Sequence, residues 1–246
     1  MFRVCRRLYH PNTLEHAVGN RLRPLAYEQD SPQYKVLQRA LEAHVPVLGF
    51  NERAIVRAAG DLGYGSAVLS ALAAPNSPAL LNVPSAVLEL VKFHLVTKRV
   101  ALADAAAQGN VSMEQLFLQR VEADRPLAGQ LTQLLSILSL PGEFLVNTAM
   151  PELFRLSDDL IYYSGEKDHP DLAWYSKRAA VAMAYVSTNL FMARDRSPAL
   201  EETLHFARRR LQQVDSLGTA YNNVEEFAWY QLLMAMNLVK SQLTRG

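Results

Sequence analysis

From Gln33 onward, apolar side chains recur every three or four positions, and the strict alternation of a half-buried strand is rare. Leu37, Ala40, Leu41, His44, Val45 and Leu48 form one stripe, closed by Gly49. Asn51 is suited to cap a second helix, with Glu52 behind it and Ile55, Val56, Ala59 and Leu62 on its apolar face, stopped by Gly63. Ser66 to Ala73 predicts a short third helix, and Pro75-Asn76-Ser77-Pro78 a loop. A long apolar helix is expected from Pro84 to Ala107, and another starts at Ser112-Met113-Glu114. Pro126, Pro141 and Pro151 mark breaks or kinks. Long helices are then expected over Pro170 to Arg194, Pro198 to Leu217 and Asn222 to Leu243. The pattern predicts an all-α protein of roughly ten helices, the first three short and the later ones long.

Composition supports a packed core. Apolar types make up 50% of the 246 residues and charged types 20%. Lys and Arg number 25 against 24 Asp and Glu, a near balance that argues against a general nucleic-acid coat. The single cysteine, Cys5, allows no internal disulfide and no cysteine-cluster metal site. No apolar run approaches the roughly 18 to 20 residues of a membrane-spanning helix.

The first 26 residues differ from the rest. Met1 to Ala26 contains Arg3, Arg6, Arg7, Arg21 and Arg23, no lysine, and one acid, Glu15. This is the composition of a mitochondrial transit peptide, the alternative being an ordinary basic N-terminus. Phe2 to Leu8 can form a short basic amphipathic helix, and Arg7-Leu8-Tyr9 is similar to a matrix-protease site. The expected organisation is a transit peptide and disordered lead over residues 1–31, a helical domain over 32–220 and an amphipathic C-terminal helix over 221–246.

The first three helices resemble the DNA-binding head of the tetracycline-repressor-like fold. A recognition helix must neutralise phosphates and reach base edges, mostly with Arg and Lys. From Ala58 to Val91 there is neither, only Asp61 and Glu89. The head therefore reads as a packing unit rather than a nucleic-acid interface, with a ligand-sensing DNA-binding regulator as the competing class.

Catalytic constellations are missing. The histidines at 10, 16, 44, 94, 169 and 205 form no close metal-binding pair. Glu202-Thr203-Leu204-His205 is a single Glu-x-x-His, whereas di-iron bundles use two such motifs and two further carboxylates. No nucleophile elbow, P-loop or dinucleotide fingerprint is present. Asp158 and Asp159 are adjacent, and neighbours on a helix diverge by about 100° rather than converging on one substrate atom. No metal, cofactor or enzymatic activity is expected, although an enzyme acting on a ring substrate is a further competing class.

Two stretches stand out. Asp171, Trp174, Tyr175 and Arg178 share one helical face. These types are enriched at the energetic centres of protein interfaces, and equally suit a core tryptophan with Arg178 paired to Asp171. In the last helix, Phe227, Tyr230, Met234 and Leu238 form one apolar stripe, and Trp229, Leu232, Met236, Val239 and Leu243 a second, roughly opposite. Two stripes call for a second apolar partner: a phospholipid surface, another subunit in a homodimer, or a bound lipid, unless the helix is sandwiched within the domain's own core. Met183, Tyr185, Leu190, Phe191 and Met192 lie in a segment with few charges, suited to an adaptable apolar cavity or to ordinary core.

Several spaced motifs agree in order with one family. The run Leu156-Ser157-Asp158-Asp159-Leu160-Ile161-Tyr162-Tyr163-Ser164 is followed by Asp171-x-x-Trp174-Tyr175-x-Lys177-Arg178, then Leu190-Phe191-Met192-x-x-Asp195-x-Ser197-Pro198, then Thr203-x-x-Phe206. Together these strongly resemble the Coq-nine family, the auxiliary lipid-binding proteins of mitochondrial ubiquinone biosynthesis. The opening Ser31 to Leu37, Glu52-Arg53, Leu62 to Gly65 and the ending Glu225 to Tyr230 look like its yeast branch.

The resemblance implies a tetracycline-repressor-like fold with a non-DNA-binding head. It also implies a bound isoprenoid or prenyl-quinone lipid, and membrane contact through the last helix at the matrix side of the mitochondrial inner membrane. The implied partner is the di-iron demethoxyubiquinone hydroxylase, within the wider biosynthetic complex. The family's partner-binding patch falls on Asp158, Leu160, Asp171, Trp174, Tyr175 and Arg178. Met183, Leu190, Phe191 and Met192 are the lipid-binding candidates, and Trp229, Leu232, Met236, Val239 and Leu243 the membrane-contacting ones. A docking scaffold without lipid carriage is the nearest alternative. Ser164-Gly165-Glu166 departs from the family's Ala-Gly-Asp on a loop.

Overall fold

The computed structural model describes residues 27–72, 83–106, 111–164 and 173–219, apart from the side chains of 173–175, 215 and 217–219. Among the described residues there are nine helices and no strand. They are α1 (32–48), α2 (Glu52–Asp61), α3 (Val68–Leu72), α4 (Ser85–Ala106), α5 (Met113–Glu122), α6 (Leu131–Leu138), α7 (Met150–Tyr163), α8 (Ala173–Met192) and α9 (Glu201–Thr219). The all-helical architecture is the one expected and is consistent with the tetracycline-repressor-like arrangement, but the expected order of lengths is not kept: α1 is longer than α5, α6 and α7.

The caps follow the sequence. Ser31 and Asn51 accept from the backbone N–H groups of Tyr34 and Ala54, starting α1 and α2. Ser112 and Gln115 form a reciprocal capping box at α5. Gly49 closes α1 at φ +78°, in the left-handed region where glycine is favoured.

Two prolines lie inside the helical path, and both are preceded by a widened π turn. Ala40–His44 precedes Pro46, and Leu145–Ala149 precedes Pro151. A proline ring clashes with the carbonyl four residues back, and a π turn moves that carbonyl aside without ending the helix. Pro126 instead opens the 3₁₀ turn Arg125–Gln130 that leads into α6.

Helices α4, α5, α7, α8 and α9 pack on one another as the body. The end of α1 rests on the Arg125–Gln130 turn, and α3 rests on α4, joining head to body. One continuous apolar cluster runs through both, from Val36, Leu37 and Ile55 in the head to Leu90, Phe117, Leu160 and Met192 in the body. The folded unit starts earlier than residue 32. The Tyr27 hydroxyl donates to Glu89 Oε1 at 2.7 Å, and its ring packs edge-on to Phe93 at 4.9 Å. Residues 1–26 and 220–246, including the expected transit peptide and C-terminal helix, lie outside the described residues.

Candidate functional site

The centre of the recognised motif is the α7–α8 pair, and its carboxylates are tied inward. Asp158 Oδ1 accepts from Arg178 Nε at 2.6 Å, joining α7 to α8. One residue on, Asp159 turns toward α4, where its Oδ2 lies 3.8 Å from Arg99 Nη1. Arg99 Nε also donates to Glu152 Oε2 at 2.9 Å. The two aspartates thus diverge as their helical offset requires and serve different neighbours.

Burial changes the role of half the expected partner patch. Asp158 and Leu160 are 0% exposed and Arg178 is 2% exposed. Side chains this deep cannot be touched by a partner, so the expectation of direct contact is corrected for these three. They lock α7 to α8 and thereby position whatever lies on the surface. Trp174 and Tyr175 fall in the first turn of α8, but their side chains, like Asp171, lie outside the described residues.

The four lipid-binding candidates separate in the same way. Met192 is core, at 2% exposure. Phe191 is half-buried and stacks on Phe206 of α9, with ring centroids 4.6 Å apart and planes 7° from parallel. The Arg210 guanidinium covers Phe206 at 4.7 Å. This stack fastens α8 to α9 and leaves Phe191 half-buried. Met183 and Leu190 are half-buried, and their positions lie on the side of α8 away from the core residues Val181, Tyr185 and Met192. The membrane-contacting candidates Trp229, Leu232, Met236, Val239 and Leu243 lie outside the described residues.

The turn between α8 and α9 explains another part of the motif. Asp195 accepts from Ser197 N–H at 2.7 Å, Thr203 N–H at 2.9 Å and the Thr203 hydroxyl at 2.5 Å. Burial opposes its ionisation, but these hydrogen bonds outweigh it and bring the carboxyl down to about 2. Ala199 and Leu200 between them sit at φ +56° and +61°, a strained pair that the Asp195 clamp holds in place. Glu202 and His205 are both exposed, as expected for a solvated helix face.

Two features escaped the sequence reading. The first is an apolar surface on the α7 arm. Val146, Met150 and Phe154, spaced by four, are 66%, 53% and 38% exposed. The spacing was legible, but it is the same signal that usually marks a core stripe.

The second is a polar cluster inside the body. Asp124 Oδ2 accepts from Arg120 Nη1 at 2.6 Å and from the Tyr185 hydroxyl at 2.8 Å, while His94 Nε2 lies 3.3 Å from Asp124 Oδ1. All four side chains are buried. Burial works against the Asp124 charge, yet Arg120, His94 and Tyr185 hold its carboxyl well below the usual range. Burial pushes the His94 ring below its ordinary value despite the pull of Asp124. The cluster draws on α4, α5, the turn after it and α8, so no local motif announces it. Among the described residues no three His, Cys, Asp or Glu side chains are grouped to hold a metal, and no helix is long and apolar enough to cross a membrane.

Comparison with known proteins adds a family. The COQ9 family model matches residues 146–218. The chain is 50% identical to "Ubiquinone biosynthesis protein COQ9, mitochondrial" of Saccharomyces cerevisiae, over 98% of this chain and 95% of that one. It is 32% identical to the Schizosaccharomyces pombe protein of that name, over 84% of this chain and 79% of that one. With the Homo sapiens protein identity is 28%, over 89% and 69%.

Proposed function

This chain belongs to the COQ9 family, and we propose that it is a membrane-associated, lipid-binding accessory protein that presents isoprenoid and quinone intermediates to the di-iron demethoxyubiquinone hydroxylase. Its relatives are named as mitochondrial proteins of ubiquinone biosynthesis. The finer role adds matrix-side, peripheral attachment to the inner membrane, with no bond chemistry by this chain.

The observation that carries the reading is the exposed apolar stripe Val146, Met150 and Phe154, at the start of the segment that the family model matches. Solvent-facing apolar side chains at this spacing suit an apolar partner. The buried Asp158–Arg178 and Arg99–Glu152 pairs hold the helix that carries two of them. The half-buried Met183 and Leu190 offer a second apolar strip on α8.

The physical task fits such a protein. A polyprenyl tail keeps a ubiquinone precursor in the bilayer, and each CH₂ moved into water costs about 0.8 kcal/mol. A peripheral protein that shelters the tail while docking the enzyme removes most of that barrier. Helix α3 carries only Val, Leu, Ser and Ala, which leaves the head without cations for a phosphate backbone there.

The test is Trp174→Lys in the full chain. Hydroxylase capture is expected to be lost while helicity and bound lipid are unchanged. Capture that persists at the wild-type level overturns the docking half of the reading.

A further inference from the structure

Helix α2 carries a basic face that the fold does not use. Arg53, Val56, Arg57 and Gly60 follow at spacings of three and four, within an arc of about 100° opposite the buried Ala54, Ile55, Ala58 and Ala59. All four are exposed, and among the described residues neither guanidinium makes a hydrogen bond or an ion pair. The acids of the helix stand at the two edges of the arc. Glu52 is at one edge. At the other, Asp61 is already engaged: its Oδ2 accepts from Arg39 Nε at 2.9 Å and lies 3.0 Å from His44 Nε2. The middle of the face is therefore positively charged.

The turn that follows extends the face with apolar groups. Gly63 takes φ +78°, its N–H bonds Gly60 O at 3.0 Å, and Tyr64 N–H returns to Ala59 O at 2.8 Å. This double closure folds the chain back over the last turn of α2 and fixes Tyr64 beside it. Leu62 and Tyr64 are 41% and 40% exposed, and Val56, between the arginines, is 36% exposed. No wall surrounds this surface: every residue from Gly60 to Ala67 is exposed, and a Cβ at Gly60, Gly63 or Gly65 would meet no atom within 4 Å. A peptide partner lies in a groove or along a sheet edge, and neither is here. A nucleic-acid backbone needs cations along several phosphates, and none follows Arg57 before Lys92. Free guanidiniums, aliphatic groups and a tyrosine on one open face suit a plane with phosphates at its surface and hydrocarbon beneath. Arginine forks bond the phosphates, their stems lie with Val56 on the apolar side, and a tyrosine sits at headgroup level.

We propose that Arg53, Arg57 and Tyr64 form a second membrane contact, which docks the head on anionic phospholipid. The inference rests on the membrane-associated reading above and adds to it a lipid class and a site outside the last helix. One apolar cluster joins head and body, so a head held on the bilayer also sets how α7 and α8 stand over it.

The test is flotation of the full chain with two kinds of vesicle, phosphatidylcholine alone and phosphatidylcholine with phosphatidylglycerol in equal parts. The wild type is expected to prefer the anionic vesicles, and the preference to fade as salt is raised. Arg53→Gln with Arg57→Gln should lower affinity for the anionic vesicles about thirtyfold, from about fivefold for each basic residue at such a surface. The urea midpoint should not move, because neither side chain holds the fold. Tyr64→Ser should weaken binding to both vesicles. Equal binding of the wild type to both vesicles overturns the proposal, as does an anionic preference that survives loss of both arginines. Duplex DNA held by the wild type and released by the arginine variant, with vesicle binding the same in both, also overturns it. Leu232→Glu in the last helix keeps the two readings apart. Binding lost in Leu232→Glu and kept in the arginine variant removes the head contact and leaves attachment by the last helix. The reverse pattern keeps the head contact and removes the last helix from the membrane.

Discussion

Gln133 of α6 holds Phe50 by both of its main-chain groups: Phe50 N–H donates to Oε1 at 2.8 Å, and Nε2 donates to Phe50 O at 3.0 Å. Phe50 lies in the turn between α1 and α2, so a body residue satisfies the backbone of the head at its hinge. Gln130 Nε2 adds a bond to Pro46 O at 3.3 Å. A head tied this way is a fixed part of the domain, which is what a packing unit requires.

The clamp leaves no room at Gly49. A Cβ there would stand 2.5 Å from Gln133 Oε1, on a backbone at φ +78°. Gly49→Ala is expected to destabilise the protein by about 1–3 kcal/mol, from the strained φ and the displaced amide. Gln133→Leu should cost about as much by stranding Phe50 N–H and C=O. Because both changes break one clamp, the double variant should fall well short of their sum in urea unfolding.

Asp158 is fully buried, so its charge depends on company. Arg178→Met removes its 2.6 Å partner and is expected to cost about 3–5 kcal/mol in chemical denaturation. Arg178→Met with Asp158→Leu should be clearly more stable than Arg178→Met alone, since no buried carboxylate then lacks its guanidinium. Equal stability of the single and double variants would contradict a structural role for the pair.

The Asp195 clamp predicts a pH window. Its folded value, about 2, lies below its ordinary 3.8. The unfolded chain therefore binds the proton first as pH falls, and the stabilisation is complete above about pH 5 and lost between about 4 and 2. Asp195→Asn should be less stable than wild type at pH 6, with the gap closing as pH falls toward 3. A gap independent of pH would show that the carboxylate charge is irrelevant to the turn.

Surface substitutions on the α7 arm should separate folding from function. Met150→Glu and Val146→Glu replace side chains that are 53% and 66% exposed, and each is expected to shift stability by less than about 0.5 kcal/mol. Hydroxylase capture or vesicle association should nevertheless fall several-fold. Unchanged binding in both assays would take the stripe out of the functional surface.

The extent of the sequence's legibility follows the range of each interaction. Caps and stops at Asn51, Ser112, Gly49 and Gly63 depend on neighbours a few residues away, and all appear where the pattern puts them. The divergence of Asp158 and Asp159 is equally local. The burial of Asp158, Leu160 and Arg178 was not legible, because a motif records which residues recur and not whether they face a partner or each other. The Phe191–Phe206 stack and the Gln133–Phe50 clamp span 15 and 83 positions, beyond any helical period. The His94–Asp124–Tyr185 cluster is the extreme case, since its members come from α4, the turn after α5 and α8, and no local pattern links them.

The central claim is that this chain carries a prenyl lipid. The most direct measurement is mass spectrometry of organic extracts of the full chain, purified without detergent. The account predicts a co-purifying prenyl phenol, quinone or isoprenoid in amounts comparable to the protein. Extracts that contain no such lipid in repeated preparations of folded protein would contradict it and leave a docking scaffold.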